Sequence, residues 1–86
     1  AYPNTRATDS ERNDKNGTLA FSFTTNASLA QVGDYYQNFF LNRGWSILGR
    51  ETKGNTVEMR FRSSNGTLRL EVKKQGRNYR LEAKLQ

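Results

Sequence analysis

Leu19, Phe21 and Phe23 alternate with Ala20, Ser22 and Thr24. The same period of two returns at Trp45 and Ile47, at Val57, Met59 and Phe61, at Leu68, Leu70 and Val72, and at Tyr79, Leu81, Ala83 and Leu85. That period marks strands with one buried face. Between the first and second runs the spacing becomes helical: Leu29, Val32, Tyr36, Phe39 and Phe40 share one stripe, while Asp34, Gln37, Asn38 and Asn42 lie opposite. Ser28 stands three residues before Gln31, the spacing of a capping box, in which each side chain satisfies a free backbone N–H of the first turn. Arg43-Gly44 offers a cation and a left-handed residue at the other end. The predicted helix has roughly four turns.

A lone amphipathic helix can bury its stripe only on the apolar face of the sheet. The chain therefore reads as an α+β fold, a single helix packed on one face of a mainly antiparallel four- to five-stranded sheet in the order β-α-β-β-β-β. Residues 1–16 are polar, mix both charges and show no hydrophobic period beyond Tyr2-Pro3, so they read as an extended lead-in to one domain over 17–86. The place of the first strand in the sheet is left open.

Turn signals and charges suggest a register. A loop at Gln75-Gly76 pairs Val72 with Tyr79, Glu71 with Arg80, Leu70 with Leu81 and Arg69 with Glu82. Asn65-Gly66 as a two-residue turn pairs Phe61 with Leu70, Met59 with Val72, Arg60 with Glu71 and Glu58 with Lys73. A three-residue loop at Lys53-Gly54-Asn55 sets Arg50 against Glu58 and Ile47 against Phe61. In this reading opposite charges face each other across the strands, with Arg62 opposite Arg69 as the exception, because like charges directly opposed are destabilising.

Composition narrows the chemistry. Eighty-six residues support one thin core. The absence of cysteine excludes a disulfide framework and a thiolate metal site, and the absence of histidine removes the usual general base near neutral pH. The eight carboxylates form no pair suited to acid–base work, so no catalytic, cofactor or metal site is expected. No apolar run is long enough to span a bilayer. The net charge of +6 lies wholly in the second half: Ala1 to Gly44 hold four basic and four acidic residues, Trp45 to Gln86 ten and four.

That asymmetry suggests an acidic partner. Lys53, Lys73, Lys74 and Arg77 fall near hairpin tips and form a candidate interaction surface for a protein partner or for anionic lipid headgroups. Tyr35, off the Tyr36 stripe, and Leu48, on the outward side of its strand, are candidate contact residues. A nucleic-acid surface on the basic sheet face is the alternative. Interleaved Glu58, Glu71 and Glu82 oppose it, as does the inward placement of Phe61 and Tyr79, which removes stacking platforms. Trp45 reads as a core anchor. Asn16-Gly-Thr18, Asn26-Ala-Ser28 and Asn65-Gly-Thr67 match the glycosylation acceptor pattern, a weak signal because Ser28 and Asn65 already have cap and turn roles.

Tyr2-Pro3-Asn4-Thr5, then Phe23-Thr-Thr-Asn-Ala-Ser28, Val32, Tyr35-Tyr36, Phe40-Leu41 and Gly44-Trp45 together resemble small bacterial cell-envelope and lipoprotein-type domains. The resemblance covers residues 2–45. It implies an α+β domain without shared catalytic residues, acting as a binding or accessory module of an extracytoplasmic envelope assembly.

Overall fold

The computed structural model describes residues 2–3, 5, 9–13 and 17–86. Asn4 of the lead-in pattern and Asn16 of the first acceptor triplet lie outside them. The order is β1 (Asp9–Asn13), β2 (Thr18–Thr24), α1 (Leu29–Leu41), β3 (Ser46–Lys53), β4 (Thr56–Ser63), β5 (Gly66–Gln75) and β6 (Asn78–Leu85). All strand pairings are antiparallel, in one sheet of order β1-β2-β6-β5-β4-β3. The α+β fold with one helix on one sheet face is as the periodicity predicted. The lead-in contributes β1, a further strand that pairs with β2 at the edge. The first predicted strand sits inside the sheet, between β1 and β6.

Helix α1 begins where the capping box predicts. The Gln31 N–H donates to Ser28 Oγ at 3.1 Å and the Ser28 N–H to Gln31 Oε1 at 2.8 Å. Val32, Gly33 and Tyr36 face the sheet, and the core joins them to Phe23, Val57, Met59, Phe61, Leu70, Val72, Tyr79 and Leu81. Gly33 admits a close approach: a Cβ there would stand 2.9 Å from Nη2 of Arg50. Arg50 Nη1 donates to Asp34 Oδ1 at 2.7 Å and to Gln37 Oε1 at 2.9 Å, tying β3 to the helix.

That tie depends on a bulge. Ile47 opposes Phe61, as expected, but Leu48 is an extra residue, so Gly49 opposes Arg60 and Arg50 opposes Met59 rather than Glu58. The bulge reverses the facing of the rest of β3 and turns Arg50 to the helix side.

The other two expected registers are each displaced by two residues. The β4–β5 turn falls on Ser64-Asn65, with Ser63 opposite Gly66, and its Asn65 N–H donates to Ser63 Oγ at 3.1 Å. Phe61 therefore pairs with Leu68, Met59 with Leu70, Arg60 with Arg69 and Glu58 with Glu71. The β5–β6 turn falls on Gly76-Arg77, with Gly76 in the left-handed region at φ 63, so Val72 pairs with Leu81, Lys74 with Tyr79, Glu71 with Glu82 and Lys73 with Arg80. Shifts of two keep every apolar residue on its face, so the core is indifferent to them and turn geometry decides. Exposed charge pairs, each contributing roughly 0.2 to 1 kcal/mol, are too weak to overrule it.

The outer face is consequently striped. Glu51, Glu58, Glu71 and Glu82 stand directly opposite one another along one row of the sheet. Arg60, Arg69 and Lys84 form the next row on one side, Lys73 and Arg80 on the other. Compensation runs diagonally and along strands: Arg69 meets Glu58 at 2.8 Å, Lys73 meets Glu71 at 3.5 Å and Lys53 meets Glu51 at 3.6 Å.

Candidate functional site

Helix α1 ends before the sheet does. Asn42 caps it, and the Trp45 N–H returns to Phe40 O at 3.1 Å, so the chain turns from helix into β3 under the last helical ring. Beyond that ring the inner face continues with Leu19 opposite Ala83 and Leu68 opposite Leu85. Nothing among the described residues covers these ends fully: Leu19 is 41% and Leu85 53% exposed, although both belong to the face that packs on the helix. The result is an open cleft of about 500 Å³. Phe39, Phe40 and Trp45 form one wall, Leu19, Leu68, Ala83 and Leu85 the other, and Gly17 with Thr18 the rim. The Trp45 ring meets Phe40 edge to face at 6.4 Å, so one side of it anchors the helix-to-strand turn while another lines the cleft.

Leu41, at 36%, and Leu48, at 52%, are the other exposed large apolar residues among those described, and both lie at this end of the molecule. Leu48 is exposed because it is the bulge residue, beside a shallow depression bordered by Gly44, Ser46 and Arg62. Arg43 lies over the Phe39 ring, its Cζ 3.6 Å from the centroid, and donates to Phe39 O at 3.1 Å.

The opposite end is sealed. Tyr79 Oη donates to Ala27 O at 2.6 Å, fastening the β6 tip beneath the start of α1. Tyr2 stacks on Phe23 at 5.6 Å and meets Tyr35 at 5.0 Å, so the lead-in covers the aromatic cluster. Tyr36 lies within that cluster, and its hydroxyl has no hydrogen-bond partner among the described residues. Burial, reinforced by the neighbouring Tyr35, pushes its phenol above the usual value; the Tyr2 backbone pulls weakly the other way.

Four of the six candidate contact residues come together at this sealed end. Lys53 closes β3, Lys73 and Lys74 close β5, and Arg77 lies in the β5–β6 turn. The Lys74 N–H donates to Asn55 O at 2.9 Å, which holds the two hairpin tips side by side. Tyr35 is half-buried against Tyr2 and Tyr36 and belongs to the aromatic seal, and Leu48 belongs to the far end. The sequence reading missed the cleft, whose signal was the unbroken apolar period running to Leu85 past the last residue the helix could cover.

No group of three histidine, cysteine or carboxylate side chains among the described residues is arranged to hold a metal ion. No helix among them is long and apolar enough to cross a membrane. A family model described as START domain-like matches residues 5–79, from the lead-in to the beginning of β6. No curated protein and no solved structure gives a significant match.

Proposed function

The chain belongs to the START domain-like family, and from that premise we propose that it is a non-catalytic binding module whose cleft receives an apolar small ligand or the apolar side chains of a protein partner. The observation that carries this reading is the cleft itself. An apolar wall with two exposed leucines lies beside three aromatic rings, in a space of about 500 Å³. That size falls within the common range for ligand sites. The non-catalytic part rests on a chain without histidine or cysteine. A role in a bacterial envelope assembly belongs to the same proposal and rests on the lead-in, helix and Gly44-Trp45 pattern. The striped outer face disfavours the nucleic-acid alternative, because a phosphate backbone crossing it would meet the glutamate row.

Trp45 is the single tryptophan and lines the cleft, so it reports directly on occupancy. Titration with the neutral apolar fluorophore N-phenylnaphthylamine is expected to give saturable energy transfer from Trp45. Leu85→Arg, at an exposed position, is expected to weaken that uptake about tenfold without unfolding the domain. Absence of saturable uptake, or uptake indifferent to Leu85→Arg, would remove the cleft from this reading.

A further inference from the structure

We propose that the sealed end of the sheet, carrying Lys53, Lys73, Lys74 and Arg77, docks on anionic lipid headgroups and so holds the cleft facing away from the bilayer.

The placement follows from the register. The β3–β4 and β5–β6 turns lie side by side, so the four cations belong to a single end of the sheet, with Lys74 Nζ 6.0 Å from the centre of the Tyr79 ring. The nearby carboxylates stand back from it: on β3, β5 and β6 the sequence runs from a glutamate, Glu51, Glu71 or Glu82, to a cation two residues closer to the tip, Lys53, Lys73 or Arg80. Glu51 and Glu71 reach forward to Lys53 at 3.6 Å and Lys73 at 3.5 Å, exposed pairs that hold each ammonium by only about 0 to 1 kcal/mol and yield to a denser anionic surface. An anionic plane approaching this end therefore meets cations first.

The shape selects the partner. Lys53 and Lys73 keep 80% and 61% of their side-chain surface in solvent, so their ammonium groups can adjust to headgroups that move laterally. A shallow depression of about 240 Å³ edged by Lys73 and Asn78 lies here. The ring nearest the tips, Tyr79, is 1% exposed and offers no stacking platform for a base. A flat, mobile, anionic surface is what remains.

Orientation follows too. Trp45, Leu19 and Leu85 lie at the far end of strands of up to ten residues, roughly 30 Å away. A domain docked by its hairpin tips takes its apolar ligand or partner from the aqueous side.

The test is co-sedimentation of the full chain with phosphatidylcholine vesicles, with and without phosphatidylglycerol. Binding is expected only to the anionic vesicles. Lys73→Gln/Lys74→Gln/Arg77→Gln should reduce it about 100-fold, at about fivefold per charge. Arg60→Gln/Arg69→Gln/Lys84→Gln removes the same charge from the sheet face and should reduce it far less. Equal losses in the two triple variants would show diffuse attraction by net charge and overturn the proposal, as would absence of binding to anionic vesicles. Complete competition by inorganic polyphosphate at matched charge would make the site a general polyanion site instead. With brominated acyl chains, Trp45 emission should stay unquenched in the bound protein; quenching would overturn the orientation. Leu85→Arg should leave vesicle binding intact, so that failure of the cleft reading and failure of this one are separable.

Discussion

The two ends of the sheet share the same strands and the same inner row of apolar side chains, yet one end is closed and the other open. At the hairpin end Tyr79 is hydrogen-bonded to the start of α1 and Tyr2 stacks over Phe23. At the cleft end Leu19 and Leu85 continue the same face with nothing among the described residues laid fully across them. The difference is one of coverage. A thirteen-residue helix is shorter than the sheet it roofs, and where it is placed along the strands decides which end is core and which is site.

Truncations separate the two ends most sharply. Leu70→Ala, at a fully buried position, should cost about 2 to 5 kcal/mol in urea denaturation, whereas Leu85→Ala should cost well under about 1 kcal/mol. Equal costs would mean that the cleft end is covered in solution. Tyr79→Phe tests the closed end alone. It leaves Ala27 O without its partner and should cost about 1 to 2 kcal/mol while sparing N-phenylnaphthylamine uptake.

Tyr36→Phe should be within about 1 kcal/mol of the parent at neutral pH, on the stable side, because it deletes a buried hydroxyl with no hydrogen-bond partner among the described residues. Its larger signature is alkaline. The Tyr36 phenol is held above the ordinary tyrosine value of 10.0 by burial, so above that pH the unfolded chain loses a proton that the folded chain keeps. Stability is full below pH 10 and falls as the pH rises beyond it. Tyr36→Phe should flatten that fall, leaving the smaller share of Tyr79, which burial also raises. Smallest of all, Arg69→Gln removes the diagonal contact to Glu58 and should cost a few tenths of a kcal/mol, fading with added salt in a thermal melt.

Much of this architecture was legible because burial writes itself into sequence at two periods. The inward rows of β4, β5 and β6, the capping box and the glycine after α1 were all readable from residue types alone. Register was not. A slip of two leaves the apolar pattern unchanged, so the choice passes to turn geometry at Ser64-Asn65 and Gly76-Arg77, and Lys73, 3.5 Å from Glu71 along its own strand, offsets part of the repulsion between Glu71 and Glu82. β1 was illegible for a different reason: Asp-Ser-Glu-Arg-Asn carries no apolar alternation, and its strand state comes from pairing with β2. The cleft escaped notice because periodicity reveals which face is apolar but not how far a helix extends over it. The basic tips could be named in the sequence, but only the folded sheet set them beside one another.

The bulge at Leu48 has an effect beyond re-aiming Arg50. It sits on β3, an edge strand whose outer rim pairs with no other strand among the described residues and is a template onto which a second chain could zip. An incoming strand would find the comb of donors and acceptors broken out of step midway, with a protruding leucine at the break. Straightening that irregularity would make the rim continuous and leave the protein more prone to fibre growth.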